Sequence, residues 1–170
     1  MKIYLIGFMG CGKSTIGREL ADLLNFMFVD LDEHIAENQE RSIKQIFEEE
    51  GEDGFREIER DELAKLSGLF NTVIATGGGT PCFHDNLEWM NATGASIYLK
   101  TPPEILATRL APEKEHRPLI SHLSDQELPD FIHKKILERS AFYEQAEIIY
   151  NQKNNNSPTA KDLAGLYPFW

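Results

Sequence analysis

The segment Gly7-Phe8-Met9-Gly10-Cys11-Gly12-Lys13-Ser14 satisfies the spacing G-x-x-x-x-G-K-[ST], and Thr15 follows it directly. No other feature of the chain narrows the fold so far, because this pattern works only where a strand feeds a tight loop that opens into a helix. The glycines let successive backbone N–H groups turn inward around phosphate oxygens, and the next helix adds the positive end of its dipole. Both flanks are present. Residues 2–6 have strand length and composition, and residues 13–24 carry Ile16, Leu20, Leu23 and Leu24 at helical spacing. In this frame Lys13 reaches the β- and γ-phosphates of a nucleoside triphosphate and the Ser14 hydroxyl ligates Mg2+. Gly10, Cys11, Gly12, Lys13, Ser14 and Thr15 form the cradle. Cys11 fills space in the loop; no histidine is spaced to activate it as a thiol nucleophile.

The same alternation continues along the chain. Short runs at 2–6, 27–29, 72–75, 96–99 and 148–150 are rich in β-branched or aromatic residues, and amphipathic helical stretches lie between them. Ser42-x-x-Gln45, Thr101-Pro102-Pro103-Glu104 and Ser124-x-x-Glu127 read as capping boxes that start helices. Strand–helix alternation predicts an α/β fold, a five-stranded parallel sheet with helices on both faces. With 170 residues, no repeat and no second core, the chain reads as one domain over 1–170. Two stretches break the rhythm. Residues 111–122 are polar and contain prolines, as a mobile lid would be, and 151–157 form an Asn-rich connector before a closing helix near Pro158.

Charge excludes some partners. Acidic residues outnumber basic ones 28 to 17, a net charge of −11, which argues against duplex DNA, long RNA or an anionic membrane as the main partner. No apolar run approaches the roughly 18 to 20 residues of a membrane helix. The N-terminus runs directly into the glycine-rich segment, so no cleavable signal is expected. Cys11 and Cys82 cannot build a disulfide framework, and the five histidines show no zinc-ligand spacing with them. A cytoplasmic, monomeric protein is therefore the expectation.

A phosphate loop is shared by switch GTPases, motor ATPases and small-molecule kinases. The guanine-specifying N-K-x-D is absent, and a motor needs more chain. A phosphotransferase needs an acceptor site beside the γ-phosphate. Asp30-Leu31-Asp32 follows the second strand, at the sheet end that faces the ligand crevice. Asp30 suits the Mg2+ shell and Asp32 the acceptor hydroxyl, although an Asp here also suits a helix N-cap. Gly77-Gly78-Gly79 follows the third strand, where backbone without Cβ atoms lets a ligand approach closely.

Taken in order, these motifs resemble shikimate kinase over nearly the whole chain. The resemblance rests on Gly7–Ser14, Asp30-x-Asp32, Ile46-Phe47 before Gly51-Glu52, Phe55-Arg56-x-x-Glu59, Thr76 with the three glycines, Arg117-Pro118-Leu119 and Arg139-x-x-x-Tyr143-x-x-x-Ala146. It implies ATP and Mg2+ as cofactors and transfer of phosphate to the 3-hydroxyl of shikimate. It also implies a lid at about 111–122 and a shikimate-binding helical region at about 31–62. By similarity Asp32 is the candidate base, and Arg56 and Arg139 grip the shikimate carboxylate, with Glu59 orienting Arg56. Gly77, Gly78 and Gly79 contact the ring, Arg117 closes over the phosphates and Arg109 stacks on adenine. Departures lie after the last strand, where Tyr150 and Asn151 stand in place of the family's Asp, and in the tail Tyr167-Pro168-Phe169-Trp170. Two other readings compete: a related kinase for another polyol acid such as gluconate, and a nucleotide-binding module without catalysis.

Overall fold

The structure, a computed structural model, describes residues 1–116, 119–153 and 159–167. Five strands, β1 (Lys2–Ile6), β2 (Met27–Asp30), β3 (Thr72–Ala75), β4 (Ala95–Lys100) and β5 (Ile148–Asn151), pair in parallel in the order β2-β3-β1-β4-β5. The expected five-stranded α/β sheet is therefore present. Its helices are α1 (Lys13–Leu24), α2 (Leu31–Gln39), α3 (Ile43–Lys65), α4 (Asn86–Thr93), α5 (Pro103–Leu110), α6 (Leu128–Tyr143) and α7 (Thr159–Leu166).

Every residue of β1 is buried, because side chains alternate between two covered faces. Ile3 and Leu5 join Leu20 of α1, Leu106 and Leu110 of α5, Ile132 of α6 and Leu163 of α7 in one core. Tyr4 and Ile6 enter a second core with Leu31, Ile46, Phe55, Met90 and Tyr143, from α2, α3, α4 and α6. The sheet order reverses about β1, which pairs with both β3 and β4. A crevice consequently opens at the carboxyl ends of these strands, where the phosphate loop, Asp30 and the three glycines all begin.

Helix starts follow the sequence in part. Ser42 and Gln45 form a reciprocal box: the Gln45 N–H donates to Ser42 Oγ at 3.2 Å and the Ser42 N–H to Gln45 Oε1 at 2.8 Å. The Ser124–Glu127 box forms as well, but in a turn ahead of α6, which begins at Leu128. Thr101 does not cap α5. Its hydroxyl donates to the Leu99 carbonyl at 3.3 Å, and Pro102 occupies the N-cap position in extended conformation. The two prolines explain this, since a residue before proline is driven out of the helical region and the helix starts at Pro103.

Helix α3, which carries Glu48, Glu49, Glu50, Glu52 and Asp53, is not one straight helix. α3 breaks at Gly51, whose φ of 71° and ψ of −176° are open to glycine and costly for other residues. The expected lid is also more structured than a solvated loop. Ala111–His116 forms a 3-10 helix, Ile120 is fully buried in the core beside α5, and Lys114 donates to the Leu123 carbonyl at 3.0 Å. Of the aromatic tail, Tyr167 packs edge-on against Phe26 at 5.5 Å, and residues 168–170 lie outside the described residues.

Glu62 ties α2 to α3. Its carboxylate, on a fully buried residue, accepts from Asn38 Nδ2 at 2.8 Å, Gln39 Nε2 at 3.0 Å and Lys65 Nζ at 2.8 Å. Burial alone pushes this carboxyl up, but the donors outweigh it and hold it below the ordinary range. Removing the acceptor breaks the hydrogen bonds from Asn38, Gln39 and Lys65, the last of them charge-assisted, so Glu62→Ala should cost about 2–3 kcal/mol in urea unfolding at pH 7. A folded-state pKa below the unfolded one gives stability present above the ordinary carboxylate value and lost as pH falls through the depressed one. The gap between wild type and variant should therefore narrow on acidification below that ordinary value.

Candidate active site

The phosphate loop has the backbone its spacing requires. Gly10 and Gly12 have φ of 78° and 94°, in the left-handed region, and Gly12 is the N-cap of α1 with no side-chain cap on the first turn. The first N–H groups of α1 thus remain for an anion. Lys13 folds over the loop, its ammonium donating to the Gly7 and Phe8 carbonyls at 2.9 and 3.1 Å. Cys11 is fully buried in the core, as a space-filling residue would be.

Asp30 caps α2 with one carboxylate oxygen and turns the other toward the phosphate loop. One oxygen, Oδ1, accepts from the Asp32 and Glu33 N–H groups at 3.1 and 3.4 Å and caps α2. The other, Oδ2, accepts from the Ser14 hydroxyl at 2.5 Å. A hydroxyl and a carboxylate converging from the loop and the end of β2 are hard oxygen donors, and such a pair fits Mg2+ together with water and phosphate oxygens.

Asp32 sits in the first turn of α2, partly buried beside Gly77. Burial pushes its carboxyl up to about 6, with the Glu59 and Asp30 carboxylates adding to the shift and Lys13 and Arg56 opposing it. That value leaves it ionised near neutrality and more basic than an ordinary Asp, which suits a proton acceptor. Lys13, Ser14, Asp30, Asp32, Gly77, Gly78 and Arg109 line one cavity of about 640 Å³.

The three glycines explain themselves in three dimensions. None has positive φ, so the requirement is room. A Cβ on Gly77 would stand 3.1 Å from Asp32 Oδ1 and 3.0 Å from Glu59 Oε1. One on Gly78 would stand 3.4 Å from Arg139 Nη1, and one on Gly79 would lie 2.9 Å from Arg56 Cζ and collide with Nη2. Each glycine faces a side chain singled out by the sequence. The acid, the first arginine and the second arginine meet along this single strip of backbone.

Arg56 is buried and held on several sides. Nη1 donates to Glu59 Oε2 at 2.8 Å, Nη2 to Glu52 Oε1 at 3.4 Å, and the guanidinium lies 4.4 Å from the centre of the Phe83 ring. Glu59, fully buried, spends its second oxygen on the Thr80 hydroxyl at 2.6 Å. Among the described residues Arg56 Nε is the buried side-chain nitrogen or oxygen without a hydrogen-bond partner. A buried donor of this kind costs stability unless something pairs with it, and a carboxylate fits the guanidinium edge.

The sequence missed several contacts. Tyr143, one helical turn beyond Arg139 on α6, is fully buried and donates to the Gly78 carbonyl at 2.5 Å, and burial pushes its phenol pKa up. The i, i+4 spacing of Arg139 and Tyr143 was the available signal, since it puts both on one helix face. Phe83 and Thr80 follow the glycines, and their packing on Arg56 and Glu59 left no local signature. Arg109 Nη1 donates to the Gly10 carbonyl and to Gln152 Oε1, each at 3.2 Å, placing this guanidinium at the loop's rim. Arg117, the expected lid cation, lies outside the described residues, as do positions 154–158 of the Asn-rich connector.

Comparison with known proteins agrees with this geometry. The sequence model of the family described as "Shikimate kinase" matches residues 9–164. The shikimate kinase of Bacteroides thetaiotaomicron is 44% identical over 151 residues, covering 89% of this chain and 86% of the relative. A crystal structure of shikimate kinase from that organism superposes with a TM-score of 0.93 at 40% identity, covering 99% and 98% of the two chains. The Acinetobacter baumannii shikimate kinase, solved in complex with shikimate, gives 0.84 at 34% identity, covering 98% and 90%.

Proposed function

This chain belongs to the shikimate kinase family and uses ATP to phosphorylate the 3-hydroxyl of shikimate, a step toward the aromatic amino acids, and we propose that Asp32, Lys13, Arg56 and Arg139 carry that reaction. The observation that carries the assignment is the glycine strip, where Asp32, Arg139 and Arg56 each oppose one glycine. A small acid with several hydroxyls fits between them: its carboxylate meets two guanidinium groups and a ring hydroxyl meets Asp32.

The division of labour follows from the groups. Arg56, positioned by Glu59, and Arg139 bind the carboxylate and fix the ring. Asp32 accepts a hydrogen bond from the 3-hydroxyl, aligns it with the γ-phosphorus and takes its proton as the new P–O bond forms and the bond from that phosphorus to the bridging oxygen of ATP breaks, releasing ADP. The loop N–H groups of Gly10, Cys11, Gly12, Ser14 and Thr15 hold the phosphates, and the Lys13 ammonium balances charge on the transferring group. Ser14 and Asp30 would hold Mg2+, which would supply positive charge to neutralise the phosphates. Arg109 contacts the nucleotide base, and Arg117, on the lid at 111–122, closes over the phosphates. Gly77, Gly78 and Gly79 face the acceptor ring. The helical region 31–62 supplies Asp32 and Arg56 and forms one wall.

All these residues come from one chain, which supports a monomer as the working unit in a single domain. The charge of −11 supports a cytoplasmic enzyme without nucleic-acid or membrane partners. Among the described residues no helix is long and apolar enough to cross a membrane. An acceptor panel tests the assignment. With Mg-ATP, ADP formation should rise strongly with shikimate and stay at the background hydrolysis rate with gluconate; preference for gluconate, or no stimulation by shikimate, sinks the reading.

A further inference from the structure

Gln152 is the first residue after β5, and the sequence attached no role to it. Its backbone N–H donates to the Lys100 carbonyl at 2.9 Å, which continues the sheet pairing by one residue. Its side chain leaves the sheet edge inward and is almost fully buried, with 3% exposure. Nε2 donates to the Cys11 carbonyl of the phosphate loop at 2.8 Å, and Oε1 accepts from Arg109 Nη1 at 3.2 Å. The amide orientation is set by these partners. Flipped, it would place NH2 against a guanidinium and oxygen against a carbonyl.

We infer that Gln152 is a positioning residue for the nucleotide site, bracing Arg109 against the phosphate loop so that its guanidinium stands ready at the cavity wall. The inference rests on the reading of Arg109 as a nucleotide contact. The physical need is clear. Arg109 lies in the last turn of α5 on a long stem, and an unrestrained arginine gives up much rotamer freedom when a ligand fixes it. Two acceptors hold the same nitrogen here: the Gly10 carbonyl and Gln152 Oε1. Gln152 is itself fixed at both ends, by sheet pairing and by the Cys11 carbonyl. The brace therefore joins the edge of the sheet, the loop under the phosphates and the arginine beside them. Glutamine suits this task because one planar group supplies both a donor and an acceptor.

ADP titration calorimetry on the full chain tests the inference with R109A, Q152M, Q152E and the double variant R109A/Q152M. Methionine keeps the buried volume and removes both hydrogen bonds. Q152M should weaken ADP about five- to tenfold, within the usual range for losing one intramolecular hydrogen bond. The Michaelis constant for shikimate should stay unchanged. Q152E sets an oxygen against the Cys11 carbonyl but gives Arg109 a charged acceptor; the ion pair is the stronger contact, so Q152E should still bind ADP more tightly than Q152M. In the R109A background Q152M should add nothing. Unchanged ADP affinity in Q152M beside a weakened R109A overturns the brace, as does a full additive loss in the double variant or equal affinity of Q152E and Q152M. An R109A protein that binds ADP like wild type instead removes the nucleotide role of Arg109 itself, and the brace falls with it.

Discussion

Asp32→Asn should lower kcat for shikimate phosphorylation by at least about 10²-fold while making the protein more stable at neutral pH. The two effects share one cause. The carboxyl is pushed up to about 6 by burial first, then by the Glu59 and Asp30 carboxylates. Its ordinary value is near 3.8, so the folded protein takes up a proton as it forms between these pH values. A raised folded-state pKa contributes stability that is fully present below the unfolded value and is lost as pH rises through the folded one. At pH 7 the charged Asp32 therefore strains the fold, on the order of 2–3 kcal/mol for a shift of about two units. Asparagine removes that strain and keeps the shape. It also cannot take the acceptor proton. Thermal unfolding of both proteins at pH 4 and pH 7 checks the first effect: the variant's advantage should appear at pH 7 and vanish at pH 4. Steady-state kinetics check the second, and in the wild type kcat/KM should climb with pH through about 6 as the carboxylate forms. An Asp32→Asn enzyme with near wild-type turnover would remove Asp32 from the base role.

Gly79→Ala should leave the fold standing and raise the Michaelis constant for shikimate by about 10²-fold, the usual consequence of misplacing a binding group by about an ångström. The alanine Cβ would lie 2.9 Å from Arg56 Cζ and overlap Nη2. Backbone φ is no obstacle, since Gly79 lies at −93°. The collision involves the end of a side chain, so the guanidinium yields before the backbone does. Yet Arg56 is held by Glu59 at 2.8 Å and by the face of Phe83, so any movement takes it away from the position where it meets the carboxylate. Affinity for ADP, measured by calorimetry, should be unchanged, because the cavity walled by the phosphate loop and Arg109 is lined by Gly77 and Gly78 but by neither Gly79 nor Arg56. A Gly79→Ala protein with normal shikimate kinetics would show that Arg56 does not hold the acceptor. Gly78→Ala is the internal control. Its Cβ would sit 3.4 Å from Arg139 Nη1, a contact that needs only a small adjustment, and its effect should be smaller.

Much of this site was legible before any fold was known, for a reason that differs from motif to motif. The phosphate loop is read from spacing because its geometry is local: a strand, a turn with glycines at positive φ, and a helix N-terminus within a few residues. Asp30 and Asp32 were legible because a carboxyl end of a parallel strand faces the crevice whatever the rest of the chain does. Asp30 has two carboxylate oxygens and uses one for the cap and one for Ser14. The helix starts were less legible. Ser42 caps its helix as its pattern predicts, whereas Thr101 loses its cap to the conformational demand of two prolines.

The sequence by itself determined the layers of this protein: alternating strands and helices, a glycine-rich loop at the first strand end and acids at the second. These follow from periodicity and backbone preference, which act within about ten residues. Tertiary structure alone decided what the three glycines are for, because the side chains that need the space come from α2, α3 and α6. It alone decided that Gln152 reaches Cys11, 141 residues earlier in the chain, and that Tyr143 holds the Gly78 carbonyl, 65 residues away. Contacts of that span depend on which faces of the sheet the helices cover and on where their side chains end. A pattern in the chain encodes the direction of a local turn, but the distance between two remote atoms exists only once the cores have packed.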